Sequence, residues 1–94
     1  MTALEQLMDI ILEFGDEDDF GFYELPIYDN IKVKKYEDTV RMIHPEEKGG
    51  MVFIISEKGI FVPGGFKIGD KSKVDDVCNS ILKYWEVTNL LKNV

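Results

Sequence analysis

Two segments, one near each end of the chain, carry apolar residues at the spacing of amphipathic helices. These residues are Leu4, Leu7, Met8, Ile11 and Phe14 in the first segment, and Val74, Val77, Cys78, Ile81, Leu82 and Trp85 in the second. Each segment opens with a pattern that resembles a capping box, at Thr2–Glu5 and at Ser72–Asp75. The sequence therefore predicts helices over about residues 3–14 and 73–92, with Trp85 buried against the rest of the fold.

The chain between these helices alternates apolar and polar residues, as half-buried strands do. The alternating segments are 31–36 and 39–44, a continuous apolar run covers 51–55, and shorter apolar stretches cover 60–62 and 66–68. Turn residues separate them, among them Glu57-Lys58-Gly59, which suits a three-residue hairpin loop. The pattern predicts an antiparallel sheet of four or five strands.

The order of the predicted elements indicates a single α+β domain over residues 1–94. An N-terminal and a C-terminal helix flank the sheet, and all three bury their apolar sides when both helices pack on one sheet face, which gives two layers. The other face would carry Lys32, Lys34 and Arg41. Because the run 51–55 is apolar on both sides, a homodimer formed through the open sheet face is an alternative.

The composition is that of a globular protein, with 45% hydrophobic and 31% charged residues, which excludes wholesale disorder. The single cysteine, Cys78, excludes an internal disulfide framework and fits a reducing compartment. No apolar run approaches the roughly 20 residues that cross a bilayer, and the first basic residue is Lys32, so the N-terminus lacks the positive region of a secretory signal. We expect a cytoplasmic protein that does not bind membranes.

The charges are distributed unevenly along the chain. The formal net charge is -7, yet the first 29 residues contain nine acidic residues and no Lys or Arg. Four of the acids, Asp16–Asp19, directly follow the first predicted helix. The helix dipole is negative at that end, so these acids do not stabilise the helix. We interpret them as part of a surface for a partner, the alternative being a coat that only keeps the protein soluble.

No metal site is expected in this acidic segment. Asp16, Asp18 and Gly21 match positions 1, 3 and 6 of an EF-hand loop, but Phe20 and Ile27 occupy positions 5 and 12, where that loop needs oxygen ligands. A loosely held surface magnesium or calcium ion is the alternative.

Catalytic chemistry is not indicated elsewhere either. His44 is the only histidine, and it precedes Pro45 at the end of a predicted strand, which favours a structural role. Cys78 lies on the apolar stripe of the second helix and is expected to be a buried, inert thiol. The glycine pairs do not have phosphate-loop spacing. We expect no cofactor and no enzymatic activity.

The predicted partner-binding surface combines the acidic side chains with neighbouring aromatic residues that could act as anchors within a charged rim. Its members are Glu5, Asp9, Glu13, Asp16, Glu17, Asp18, Asp19, Phe20, Phe22, Tyr23, Glu24 and Asp29. Such a surface fits a protein with a basic groove, because spaced carboxylates can replace the phosphates that a groove contacts. We expect no direct binding to nucleic acid, since the net charge of -7 repels phosphates.

The leading hypothesis is a small acidic inhibitor that mimics DNA and occupies the nucleic-acid-binding groove of an enzyme. Proteins of this size and charge are typical of phage-encoded inhibitors of restriction or CRISPR systems. One alternative is an immunity protein or antitoxin that neutralises a nuclease toxin by the same electrostatics. Another is a homodimeric structural or adaptor module joined through the sheet.

Overall fold

Along the chain, one α-helix precedes seven antiparallel strands and a second α-helix follows them. A computed structural model describes residues 1–92. The helices are α1 (Ala3–Phe14) and α2 (Val74–Lys92), and the strands are β1 (Asp16–Glu17), β2 (Tyr23–Ile27), β3 (Ile31–Tyr36), β4 (Thr39–Ile43), β5 (Val52–Ser56), β6 (Gly59–Val62) and β7 (Phe66–Asp70). Each strand pairs with its neighbours in sequence, so the sheet is a simple meander. The predicted α+β class is confirmed.

The predicted count of four or five strands is wrong, because the sheet has seven. The two additional strands are β1 and β2. Strand β1 is only two acidic residues, Asp16 and Glu17, which pair with Glu24 and Tyr23. Strand β2 contains Pro26, and proline is usually excluded from the middle of a sheet. It is tolerated here because β1 pairs with β2 only at Tyr23 and Glu24, so the β1 side of β2 is free at Pro26.

The two helices lie side by side and run in the same direction. Near their first turns, Thr2 and Leu4 line the same crevice as Val74. About three turns later the rings of Phe14 and Trp85 meet, with centroids 5.4 Å apart. Helix α2 has 19 residues against 12 in α1, so its last turns extend beyond α1.

The core lies between the helices and one face of the sheet. Side chains alternate along the strands, so cross-strand partners such as Leu25 and Val33 are buried together. The buried core residues are Ala3, Leu4, Leu7 and Ile11 from α1, Val74, Cys78, Ile81 and Trp85 from α2, and Leu25, Ile27, Ile31, Val33, Val40, Ile55 and Ile60 from the sheet region. The helices therefore cover one sheet face only.

The other sheet face has a basic half and an apolar half. Successive cross-strand partners on this face are Glu24, Lys34, Arg41, Ile54 and Phe61. The apolar members are half-buried and have neighbours of the same kind in β4 and β5. Because neither helix covers this face, its apolar side chains are shielded mainly by each other and by the long basic side chains beside them.

Replacement of Trp85 by alanine tests the packing of the helical layer. Trp85 is 7% exposed and contacts Phe14, so Trp85→Ala should lower the free energy of unfolding by about 3–5 kcal/mol. Urea denaturation measures this loss. The control is Leu90→Ala on the same helix, where the side chain is 67% exposed and little should change. Equal midpoints for the two variants would contradict the burial of Trp85.

Candidate functional site

The turn between β1 and β2 is organised by one carboxylate. The Asp18 Oδ1 atom accepts hydrogen bonds from the backbone N–H groups of Phe20 and Phe22, at 2.9 and 3.0 Å. Its Oδ2 atom lies 2.7 Å from Lys34 Nζ on β3. Gly21 adopts φ 86°, a left-handed conformation that favours glycine. Lys34, followed by the Phe22 N–H group, lowers the pKa of Asp18. Asp18 is therefore a structural residue of this turn.

The turn sends its two phenylalanines in different directions. Phe22 packs against Tyr36, with ring centroids 4.3 Å apart, and Lys34 Nζ lies 5.8 Å from the Phe22 centroid. Phe20 stands at the tip and is 83% exposed. The sequence predicts an aromatic cluster here, and the structure separates it into one ring that packs on the sheet and one ring that is free to contact another molecule.

Several other acids of the predicted surface are engaged within the chain. Glu5 completes the capping box of α1 with Thr2, as the sequence predicts, and the hydrogen bonds from Thr2 lower its pKa. The Tyr23 hydroxyl donates to Glu17 Oε2 at 3.2 Å, which raises the pKa of Tyr23. The ion pairs are Glu24 with Lys32, at 3.7 Å, and Asp29 with Lys48. These contacts partly neutralise the surface from within.

Four acids of the predicted surface make neither an ion pair nor a side-chain hydrogen bond within residues 1–92. They are Asp9, Glu13, Asp16 and Asp19, and all four are exposed. Asp9 and Glu13 are one turn apart on α1, roughly 6 Å along the helix axis. The chain then passes directly into β1 and the turn that carries Phe20. We call these four acids together with Phe20 the acidic face.

Cys78 and His44 lie outside the acidic face. Burial raises the pKa of the Cys78 thiol to about 11, so it is protonated and poorly nucleophilic at neutral pH. The His44 ring packs edge-on against Phe53, at 5.7 Å between centroids, and its Nδ1 atom is buried without a hydrogen-bond partner in the described chain. In residues 1–92 no three His, Cys, Asp or Glu side chains converge in a way that could hold a metal ion.

The basic half of the open sheet face is the main competing surface. The Arg41 guanidinium lies over the Tyr36 ring, 4.6 Å from its centroid, and the Arg41 Nε atom is buried without a partner in the described part of the chain. Tyr36 also carries Phe22 against it. Tyr36, the ring on this surface that could stack on a nucleic-acid base, therefore already packs against Arg41 and Phe22.

Comparison with protein-family models, with curated proteins and with solved structures finds no match to this chain. Neither α1 nor α2, the two helices longer than one turn within residues 1–92, is long and apolar enough to span a membrane.

The role of Asp18 predicts a specific pH dependence. Because its pKa is lowered in the fold, its stabilising contacts are present above the ordinary value of 3.8 and are lost as the pH falls through the lowered value. In an NMR titration, the Phe20 and Phe22 amide shifts should change together with a midpoint below 3.8. Asp18→Asn should abolish this transition and Asp19→Asn should retain it. A midpoint at or above 3.8 would contradict the assignment.

Proposed function

We propose that this chain is a non-enzymatic binding protein that attaches to a positively charged partner through the acidic face. One observation carries the proposal: four exposed acids that no cation of the described chain neutralises, Asp9, Glu13, Asp16 and Asp19, lie in the stretch of chain from α1 to the β1–β2 turn, where Phe20 is 83% exposed. Protein interfaces concentrate their energy in buried aromatic residues surrounded by a polar rim. We propose Phe20 as such an aromatic anchor, buried only in the complex, with the four acids as part of the charged rim.

The electrostatics favour a basic groove as the partner surface. The first 29 residues carry nine acids and no Lys or Arg, so they attract a cationic surface at long range and speed association. A groove lined by Lys and Arg normally contacts phosphates, and carboxylates spaced along α1 can make the same charge-assisted hydrogen bonds. We therefore infer an inhibitor of a nucleic-acid-binding enzyme, of the DNA-mimic type. A nuclease toxin is the alternative partner with the same surface chemistry.

A second candidate function rests on the open sheet face. Ile43, Val52, Ile54 and Phe61 project from neighbouring strands on the side that the helices do not cover, and all four are half-buried. Apolar patches on a sheet face are common in subunit interfaces. A homodimeric adaptor joined through this patch would leave the acidic face of each copy free.

A charge-reversal experiment tests the leading proposal. Replacement of Asp9, Glu13, Asp16 and Asp19 by Lys should abolish capture of basic nucleic-acid enzymes from a cell lysate, while the circular dichroism spectrum stays unchanged. Asp18 is left intact, because a lysine there would face Lys34 and open the turn. Capture by the unaltered protein should decrease steeply from low to moderate salt.

The matched control distinguishes an effect of where the four acids lie from an effect of the protein's net charge. Glu46, Glu47, Glu57 and Glu86 are also exposed and form no ion pair in the described chain. Their replacement by Lys changes the net charge by the same amount and should leave capture intact. If both variants lose capture equally, the acids act only through total charge and the proposed face is wrong.

Phe20→Ala tests the aromatic contribution separately from charge. Because the side chain is 83% exposed, its removal should change the free energy of unfolding by less than about 0.5 kcal/mol. Affinity for the captured partner should fall at least about tenfold, as for an interface anchor. Surface plasmon resonance measures the affinity, and Phe66→Ala, at a site 72% exposed in β7, is the control. Equal effects of the two substitutions would exclude a special role for Phe20.

A further inference from the structure

The sheet is wider than the helical layer that covers it. Seven strands at about 4.8 Å spacing span roughly 29 Å, whereas two helices side by side cover about 20 Å. Helix α1 contacts β2 and β3, and α2 contacts β2, so the uncovered strip lies at the opposite edge, towards β7. There a groove of about 350 Å³ opens between the first turns of α2 and strands β4–β7.

The walls of this groove are almost entirely apolar. Met42, Phe53, Ile60, Ile68 and Val77 provide the apolar lining. Ile68 is 54% exposed, so part of this apolar lining faces solvent. A volume of this size falls within the range of small-molecule sites.

Gly69 keeps the groove open at its floor. A Cβ atom at this position would lie 3.2 Å from Ile60 Cδ1 and 3.3 Å from Ile60 Cβ, which is tighter than ordinary packing. Gly69 pairs with Ile60 next to a bulge between β6 and β7. A side chain at position 69 would either push Ile60 into the groove or occupy part of the groove itself. The glycine thus leaves a depression where a regular strand would place a side chain.

A single charged side chain lines the groove. It is Lys73, which precedes α2 and forms no ion pair within the described residues. The first N–H groups of α2 and the positive end of its dipole lie beside it. An apolar trough with one cation at its mouth is complementary to a molecule that has an apolar body and one anionic end.

We propose that this groove binds an unbranched anionic amphiphile, such as an alkyl carboxylate. The alkyl chain lies across Met42, Phe53 and Ile60, and the carboxylate pairs with Lys73. The groove is at the β7 edge of the sheet, whereas the acidic face is at the β1 edge, so this site is separate from the proposed partner surface and does not depend on it.

Binding of a homologous series tests the apolar half of the proposal. Hexanoate, octanoate and decanoate, each below its micelle concentration, should bind with affinity that rises by up to about fourfold per added methylene until the groove is filled. Octylammonium, which has the same chain and the opposite charge, should bind at least tenfold more weakly than octanoate. In two-dimensional NMR, the amide shifts of Gly69 and Val77 should move during titration, while those of Phe20 and Phe22 should not.

Substitution of the lysine tests the polar half. Lys73→Glu places an acid at the start of α2, where it does not oppose the helix dipole, and should weaken decanoate binding at least tenfold. Lys71→Glu makes the same charge change in the same turn, but Lys71 lines a different crevice, so its effect should stay within about twofold. Lys73→Arg should retain binding.

Four results would overturn the proposal. One is equal binding of octanoate and octylammonium, another is equal loss in the Lys73→Glu and Lys71→Glu variants, and the third is shift changes confined to residues outside the groove. The fourth is a dimer in sedimentation whose cross-links place the second copy at the β7 edge and which decanoate does not dissociate, since the groove would then be a subunit contact.

Discussion

The packing of two parallel helices on a single face of the meander sheet determines the rest of this structure. Helix α1 places Leu7 and Ile11, and α2 places Cys78 and Ile81, against strand residues that are fully buried. Once these stripes face the sheet, the opposite side of α1 must face solvent, and that side carries the row of carboxylates. The helical layer is also narrower than seven strands, which leaves a groove at one edge and a whole sheet face without cover.

The elements with a strong local pattern could be predicted from the sequence. The apolar stripes and the Thr2–Glu5 capping box predict α1 with its observed bounds, and the second stripe predicts α2 to within one residue. The burial of Trp85 also follows from its stripe. Its contact with Phe14 does not, because the stripes do not reveal that the helices run in the same direction.

Strands β1 and β2 could not be predicted, because they depend on context. Two acidic residues such as Asp16 and Glu17 have no intrinsic preference for a strand, and they adopt one only because β2 lies beside them. Pro26 argues against a strand unless one edge is known to be free. Strand pairing of this kind depends on which segments meet in space, and that information is not local.

In the candidate site, too, local sequence predicts some features, and others depend on which segments meet in the fold. Counting charges identifies the acidic N-terminal third, but it cannot separate Asp18, which organises a turn and pairs with Lys34, from Asp19, which makes no such contact. That difference depends on the register of β2 and β3. Likewise, nothing in the sequence distinguishes Phe20 from Phe22, because the geometry of the turn alone decides which ring packs on Tyr36. The acidic face therefore contains only part of the partner-binding surface that the sequence predicts.

The most direct test of the central claim is hydroxyl-radical footprinting of the chain with and without its captured partner. Phe20 and Phe66 are comparably exposed phenylalanines, at 83% and 72%, and they lie at opposite ends of the strand order. If the acidic face binds the partner, oxidation of Phe20 decreases strongly in the complex while oxidation of Phe66 is unchanged. Protection of Phe61 on the open sheet face, with Phe20 still fully reactive, would contradict the account.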